Sequence, residues 1–199
     1  LAKKGEKKVS VVNTAANPFS KGTGVIDLNY RIGDRYVYRS IDLLTTVVGR
    51  KLITKVTELT EDRVIHNNGG VITDLLGNLL KRTDGAVFGP SQFYVSEYSL
   101  GKKWSTRYSA AYANGWKDIV ELDLRVTGRE TIAVPAGRFD CFRVEANGWL
   151  MAHGQSLEYT YWIAPEQINR FVALEAWWRR AGRIQRSERQ ELESYTRAG

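Results

Sequence analysis

The sequence predicts an all-β fold: a strongly curved antiparallel sheet that forms a half-barrel or barrel of about 10–12 strands. Three observations carry this prediction. Short runs of β-prone residues follow one another with period-two alternation, helix-forming stretches are scarce, and turn residues separate the runs. The turn signals are specific. Asn114-Gly115 and Asn147-Gly148 read as hairpin turns, because Asn and Gly accept positive φ. Pro135-Ala136-Gly137 reads as a fixed corner, with proline pre-setting φ and glycine completing the reversal.

Taken in order, residues 1–22 read as an extended leader or linker. They combine the charge run at residues 3–8 with a small, polar stretch around Pro18. Residues 23–199 read as a single antiparallel β domain. Residues 36–43 alternate, with Tyr36, Tyr38, Ser40 and Asp42 on one face, and residues 52–59 alternate likewise. Val64-Ile65-His66 runs into Asn67-Asn68-Gly69-Gly70, a turn, and a strand resumes at Val71. Residues 75–98 are less regular, broken at Gly77-Asn78, Asp84-Gly85 and Gly89-Pro90. Strands over 104–113 and 116–126 flank Asn114-Gly115, where a type I′ turn is expected. Strands over 130–134 and 139–146 flank the proline corner. An aromatic-rich strand at 157–163 stops at Ala164-Pro165-Glu166, and residues 170–178 form the next. Residues 184–196 are ambiguous. Glu188, Gln190, Glu191, Leu192 and Glu193 form helices well, yet Ile184, Arg186, Glu188, Gln190 and Leu192 share one strand face. Strand is the preferred reading.

Composition narrows the function classes. A chain of 199 residues with 43% hydrophobic and 26% charged residues suits one globular domain. Its one cysteine allows no intrachain disulfide, which argues against a disulfide-built secreted module but not against the periplasm. The net charge of +7 gathers partly at Lys3, Lys4, Lys7 and Lys8 and at Arg179, Arg180, Arg183, Arg186 and Arg189. It reads as solvated surface charge. No window of about 18 apolar residues could form a transmembrane helix. No signal peptide is visible, and a start at Leu1 points to a mature form or an excised piece.

No enzyme active site is expected. Cys141 lies within a strand, with no helix N-terminus to activate it, and reads as a core cysteine. His66 and His153 precede turns and read as exposed turn histidines. Metal-ligand spacings and nucleotide-binding loops are missing, and no carboxylate pair stands out, so no cofactor and no metal are expected. The six Trp and ten Tyr are the more informative class. Core and sheet-face packing explains them most simply. The functional alternative is an apolar cleft inside a curved sheet, which for a lipid carrier calls for roughly 300 Å³ or more. Trp177-Trp178-Arg179-Arg180 reads as a strand end with a basic turn, which argues against nucleic acid as the partner.

One segment, Gly128 through Glu145, contains Glu130, Val134-Pro135-Ala136-Gly137 and Phe139-Asp140. Upstream lies Gly101-Lys102-Lys103-Trp104, and downstream Trp162-Ile163-Ala164-Pro165. With Gly33-Asp34-Arg35-Tyr36-Val37-Tyr38 and Asp74-Leu75-Leu76-Gly77-Asn78, this order resembles a group of bacterial envelope-associated β-rich domains of unknown function. That group is similar to the lipoprotein-carrier fold, an incomplete antiparallel barrel around an apolar cavity. Similar segments occur at the C-terminal ends of some bacterial caspase-like proteins. The resemblance covers about residues 30–195 and implies a periplasmic or secreted location. It carries over no catalytic residues. The expected function is therefore a non-enzymatic binding or accessory domain. It would hold a lipid, a lipoprotein acyl chain or another apolar ligand at its concave face, lined by Tyr36, Tyr38, Trp104, Tyr108, Trp149, Tyr159 and Trp162. The alternative is a protein–protein interaction module of a larger bacterial protein, with a protein partner and no small-molecule ligand.

Overall fold

The computed structural model describes residues 22–199; the expected leader lies outside them, apart from Gly22. The described chain has fourteen strands: β1 (Gly24–Val25), β2 (Arg35–Asp42), β3 (Val48–Leu59), β4 (Arg63–His66), β5 (Val71–Asp74), β6 (Leu79–Lys81), β7 (Val87–Phe88), β8 (Glu97–Tyr98), β9 (Lys103–Ala111), β10 (Lys117–Val134), β11 (Gly137–Leu150), β12 (Gln155–Ile163), β13 (Phe171–Arg180) and β14 (Arg183–Thr196). Twelve of them close into an antiparallel barrel in the order β10-β11-β12-β13-β14-β2-β3-β4-β5-β6-β7-β9, and β1 pairs with β8 in a separate ladder. Closure removes the free edges that an open sheet would expose.

The barrel is lopsided. β10, β11 and β14 run for 18, 14 and 14 residues, while β4 to β7 have only 4, 4, 3 and 2. Alternation sets the inner face: along β10, Asp118, Val120, Leu122, Leu124 and Val126 are buried, while Asp123 and Arg125 between them are exposed. The β10–β11 register shifts between Val126 and Gly128. Bulges of this kind bend a strand and increase its twist. Beyond it, the end of the β10–β11 hairpin lies against β12–β14. There Val134, Phe139 and Cys141 pack with Trp162, Ala173 and Leu192, and the Ala136 N–H donates to the Leu192 carbonyl at 3.1 Å.

Part of the lumen is filled by the chain itself. The Val25 neighbour Ile26 continues the β1–β8 ladder by donating its N–H to the Ser96 carbonyl at 2.9 Å. Ile26, Leu28 and Tyr98 then pack against Leu122, Leu124, Phe142, Val144 and Tyr161 of the barrel wall.

The turns follow local chemistry, with two departures from expectation. At Asn114-Gly115 only Gly115 has positive φ (86°), and the Gly115 N–H donates to the Tyr112 carbonyl at 2.9 Å. This is a type I turn followed by a left-handed glycine, not a type I′ turn, which needs positive φ at both central residues. Asn147-Gly148 is not a turn. It lies inside β11, with Asn147 opposite Asp123 and Gly148 opposite Leu122. Glycine is required there for close approach, because a Cβ at position 148 would stand 1.8 Å from the Glu121 carbonyl oxygen. The chain reverses later, at residues 151–154, with Gly154 at φ 59°. The proline corner joins β10 to β11 as read, with Gly137 at φ 135°. Residues 184–196 are strand, paired on one side with β13 and on the other with β2.

Candidate functional site: a cavity in the barrel lumen

The part of the lumen that β1 and β8 leave open holds a half-open cavity of about 230 Å³. Leu79 and Phe88 bound it on the short-strand side, Tyr108 on β9, and Tyr159, Phe171 and Leu174 on the long-strand side. Phe93 and Tyr94, from the loop between β7 and β8, form its inner wall. That loop is held by polar contacts. The Tyr161 hydroxyl donates to the Phe93 carbonyl at 2.9 Å, the Tyr94 N–H donates to Asn78 Oδ1 at 2.7 Å, and Asn78 Nδ2 donates to the Tyr94 carbonyl at 3.0 Å. Asn78 is in turn fixed by Asp74, whose Oδ2 accepts from Asn78 Nδ2 at 2.9 Å. Phe93 meets Tyr159 edge-on at 5.3 Å, and Tyr94 lies parallel to Phe171 at 6.3 Å. These are favourable aromatic geometries that fix the wall without closing the space.

One end of the cavity is polar. Arg170 lies on the β12–β13 connection, just before Phe171, and lines the cavity. Its Nη1 donates to His66 Nε2 at 3.3 Å, and its guanidinium lies 5.5 Å from the centre of the Tyr36 ring. The tyrosines spend their own protons elsewhere: Tyr30 on the Asn169 carbonyl at 3.1 Å, Tyr36 on Asn169 Oδ1 at 2.6 Å, and Tyr38 on the Phe171 carbonyl at 2.8 Å. Burial pushes the Tyr30 phenol up to about 12 and raises Tyr36, Tyr38 and Tyr94 as well, so all four are neutral near pH 7. His66 is fully buried, which corrects its reading as an exposed turn histidine. The turn at residues 67–70 is at the surface, but the inward side of β4 carries the ring into the barrel. Burial, reinforced by the Arg170 charge, pushes its pKa down to about 3. The ring is therefore neutral. With Nε2 accepting from Arg170, the proton sits on Nδ1, which has no hydrogen-bond partner.

The other sequence-selected residues divide clearly. Tyr108 and Tyr159 line the cavity, and Tyr36 and Tyr38 stand at its Arg170 end, where Tyr38 stacks on Phe171 at 4.4 Å. Trp104 packs on the Tyr98 side of the core, 6.2 Å from that ring, and its Nε1 donates to the Gln92 carbonyl at 2.7 Å. Trp149 is outside the barrel and 53% exposed. Trp162 is buried under the β10–β11 hairpin end, with Nε1 donating to Glu130 Oε1 at 2.6 Å and Arg189 over its ring. Sequence reasoning passed over Arg170, Phe93, Tyr94 and Asn78. They lie in irregular segments, where period-two alternation gives no signal of direction.

The remaining chemistry-bearing residues have structural partners. Cys141 is buried, and burial pushes its thiol up to about 12. His153 stacks on Trp116 at 4.6 Å, and its Nδ1 is hydrogen-bonded to buried Asp118, which also accepts from the Ala152 N–H at 2.7 Å. That ring is partly buried and bound, not a free surface histidine. Among the described residues, no three His, Cys, Asp or Glu side chains converge as a metal site would require. The basic run near the C-terminus is largely ion-paired: Arg179 with Glu158, Arg186 with Glu188, and Arg189 with Glu175 at 2.6 Å and with Glu191 at 2.6 Å.

Solved structures resemble the overall fold. A protein of YmcC-like fold from Bacteroides fragilis, presumed exported, aligns with a TM-score of 0.53 over 88% of this chain and 100% of its own, at 12% identity. The hypothetical lipoprotein YmcC from Escherichia coli K12 aligns with a TM-score of 0.50 over 81% of this chain and 84% of its own, at 11% identity. A presumed lipoprotein from Parabacteroides distasonis gives a TM-score of 0.49 at 12% identity, covering 87% of this chain and 99% of its own. At such identities the likeness is one of fold. No protein-family model matches the sequence, and no curated protein does. None of these neighbours bears on an attachment to a caspase-like protein.

Proposed function

We propose that this chain is a non-enzymatic binding protein of the bacterial envelope whose barrel holds the apolar part of a small, lipid-like molecule. The cavity carries the reading: about 230 Å³, walled by Phe88, Phe93, Tyr108, Tyr159, Phe171 and Leu174. Well-packed interiors keep few voids larger than a water molecule, so a space of this size with aromatic walls supports a binding site. The envelope assignment is supported by two fold neighbours, one described as presumed exported and one as a lipoprotein. The volume is below the roughly 300 Å³ of sites for drug-sized ligands, which limits the guest. Benzene fits a cavity of about 150 Å³, so by proportion roughly nine carbons fit here, a short acyl segment.

Calorimetric titration with 1-octanol tests the reading. Saturable one-to-one binding by the wild type, abolished in Leu174→Trp where the indole fills the space, is the expected result. No binding by the wild type, or equal binding by both proteins, would remove the cavity as the site.

A second reading, a protein interaction module, has one observation in its favour. Leu44, Val47 and Val48, around the β2–β3 turn, are 60%, 61% and 58% exposed.

A further inference from the structure

We infer that the ligand of this cavity is an anionic amphiphile, a short-chain carboxylate, whose headgroup pairs with Arg170; the inference rests on the cavity being the binding site. Arg170 is the one cationic residue among those that line the cavity, and no acidic residue lines it. Among the described residues it has no carboxylate within salt-bridge distance. Its neighbours, Tyr36, Tyr38 and His66, are neutral near pH 7. The three acids that act on nearby Tyr30 are committed elsewhere: Asp27 pairs with Arg197, Asp34 accepts from the backbone N–H groups of Arg31 and Ala198, and Asp74 accepts from those of Leu76 and Asn78. A guanidinium inside a protein is costly unless paired, and Arg side chains stay protonated at any physiological pH. Its five N–H donors exceed the single acceptor that His66 Nε2 offers.

The site thus joins an apolar wall to a fixed cation. A fatty-acid-like carboxylate has the matching polarity, with a chain for Phe88, Tyr108 and Leu174 and two oxygens for the donors.

Octanoate and 1-octanol have the same chain length and differ in the head, so comparing them isolates this inference. Calorimetry at pH 7.5 with both probes, on the wild type, Arg170→Gln and Arg170→Lys, should show octanoate preferred by about tenfold or more in the wild type. The preference should vanish in Arg170→Gln while octanol binding is retained, and survive in part in Arg170→Lys. Octanol binding in Arg170→Gln also reports that the variant is folded. If the wild type binds octanol as tightly as octanoate, or if Arg170→Gln keeps the preference, the anion inference is overturned and the apolar cavity stands. If the wild type binds neither probe, the cavity reading itself fails and takes the inference with it.

Discussion

At the scale of single residues, the polar end of the cavity is where burial and charge oppose each other. His66 sits in the barrel with Arg170 at 3.3 Å and cannot accept a second positive charge beside the first. Its pKa falls from the ordinary 6.5 to about 3 in the fold. The unfolded chain binds a proton there below about pH 6.5, and the folded chain does not until about pH 3. The stability linked to this group is therefore complete above pH 6.5 and is lost as pH falls toward 3. For one proton the slope reaches at most about 1.4 kcal/mol per pH unit. Urea denaturation between pH 7 and pH 4 should show His66→Gln losing less stability on acidification than the wild type. Parallel pH profiles would mean that His66 is not a buried, neutral ring. None of this was legible from the sequence. His66 precedes Asn67-Asn68-Gly69, whose left-handed residues announce a surface turn, and nothing in that pattern says which way the last strand residue points.

At the scale of elements, the strand periods were readable and the glycines were not. Period two placed Tyr36 and Tyr38 on one face of β2, and both are buried with their hydroxyls bonded inside. The helix formers in residues 184–196 are overridden because β14 is hydrogen-bonded on both sides, so ladder pairing and burial outweigh propensity. The two Asn-Gly pairs look identical in sequence yet do opposite work. Gly115 needs positive φ in a turn and has open space around its Cβ position, whereas Gly148 needs the absence of a Cβ inside a ladder. Alanine substitution separates these demands. Gly115→Ala should cost about 1–2 kcal/mol, the strain of a left-handed residue. Gly148→Ala should cost more, about 3 kcal/mol or above, because backbone atoms of β10 must move apart. Thermal unfolding of the two variants orders the costs, and a milder Gly148→Ala would mean that β10 and β11 are further apart at that point than described.

At the scale of the whole molecule, closure and asymmetry position the site. Twelve strands close the sheet, so the barrel has no continuous free edge, and the exposed apolar residues of the β2–β3 turn are one surface patch open to a protein contact. The long strands curl around the β1–β8 ladder and bury a continuous core, while the short β5, β6 and β7 cover the part that this ladder does not fill. The cavity is the consequence. Antiparallel curvature was legible from the turn spacing. That the barrel encloses a site was not, because its wall comes from residues 73 to 174, brought together only by closure. Xenon-pressurised crystals give the most direct test of that central claim, since an apolar cavity of this size takes the gas. The account predicts a xenon peak bounded by Tyr108, Tyr159, Phe171 and Leu174. A lumen without a peak there, its space taken up by those same side chains, would contradict it.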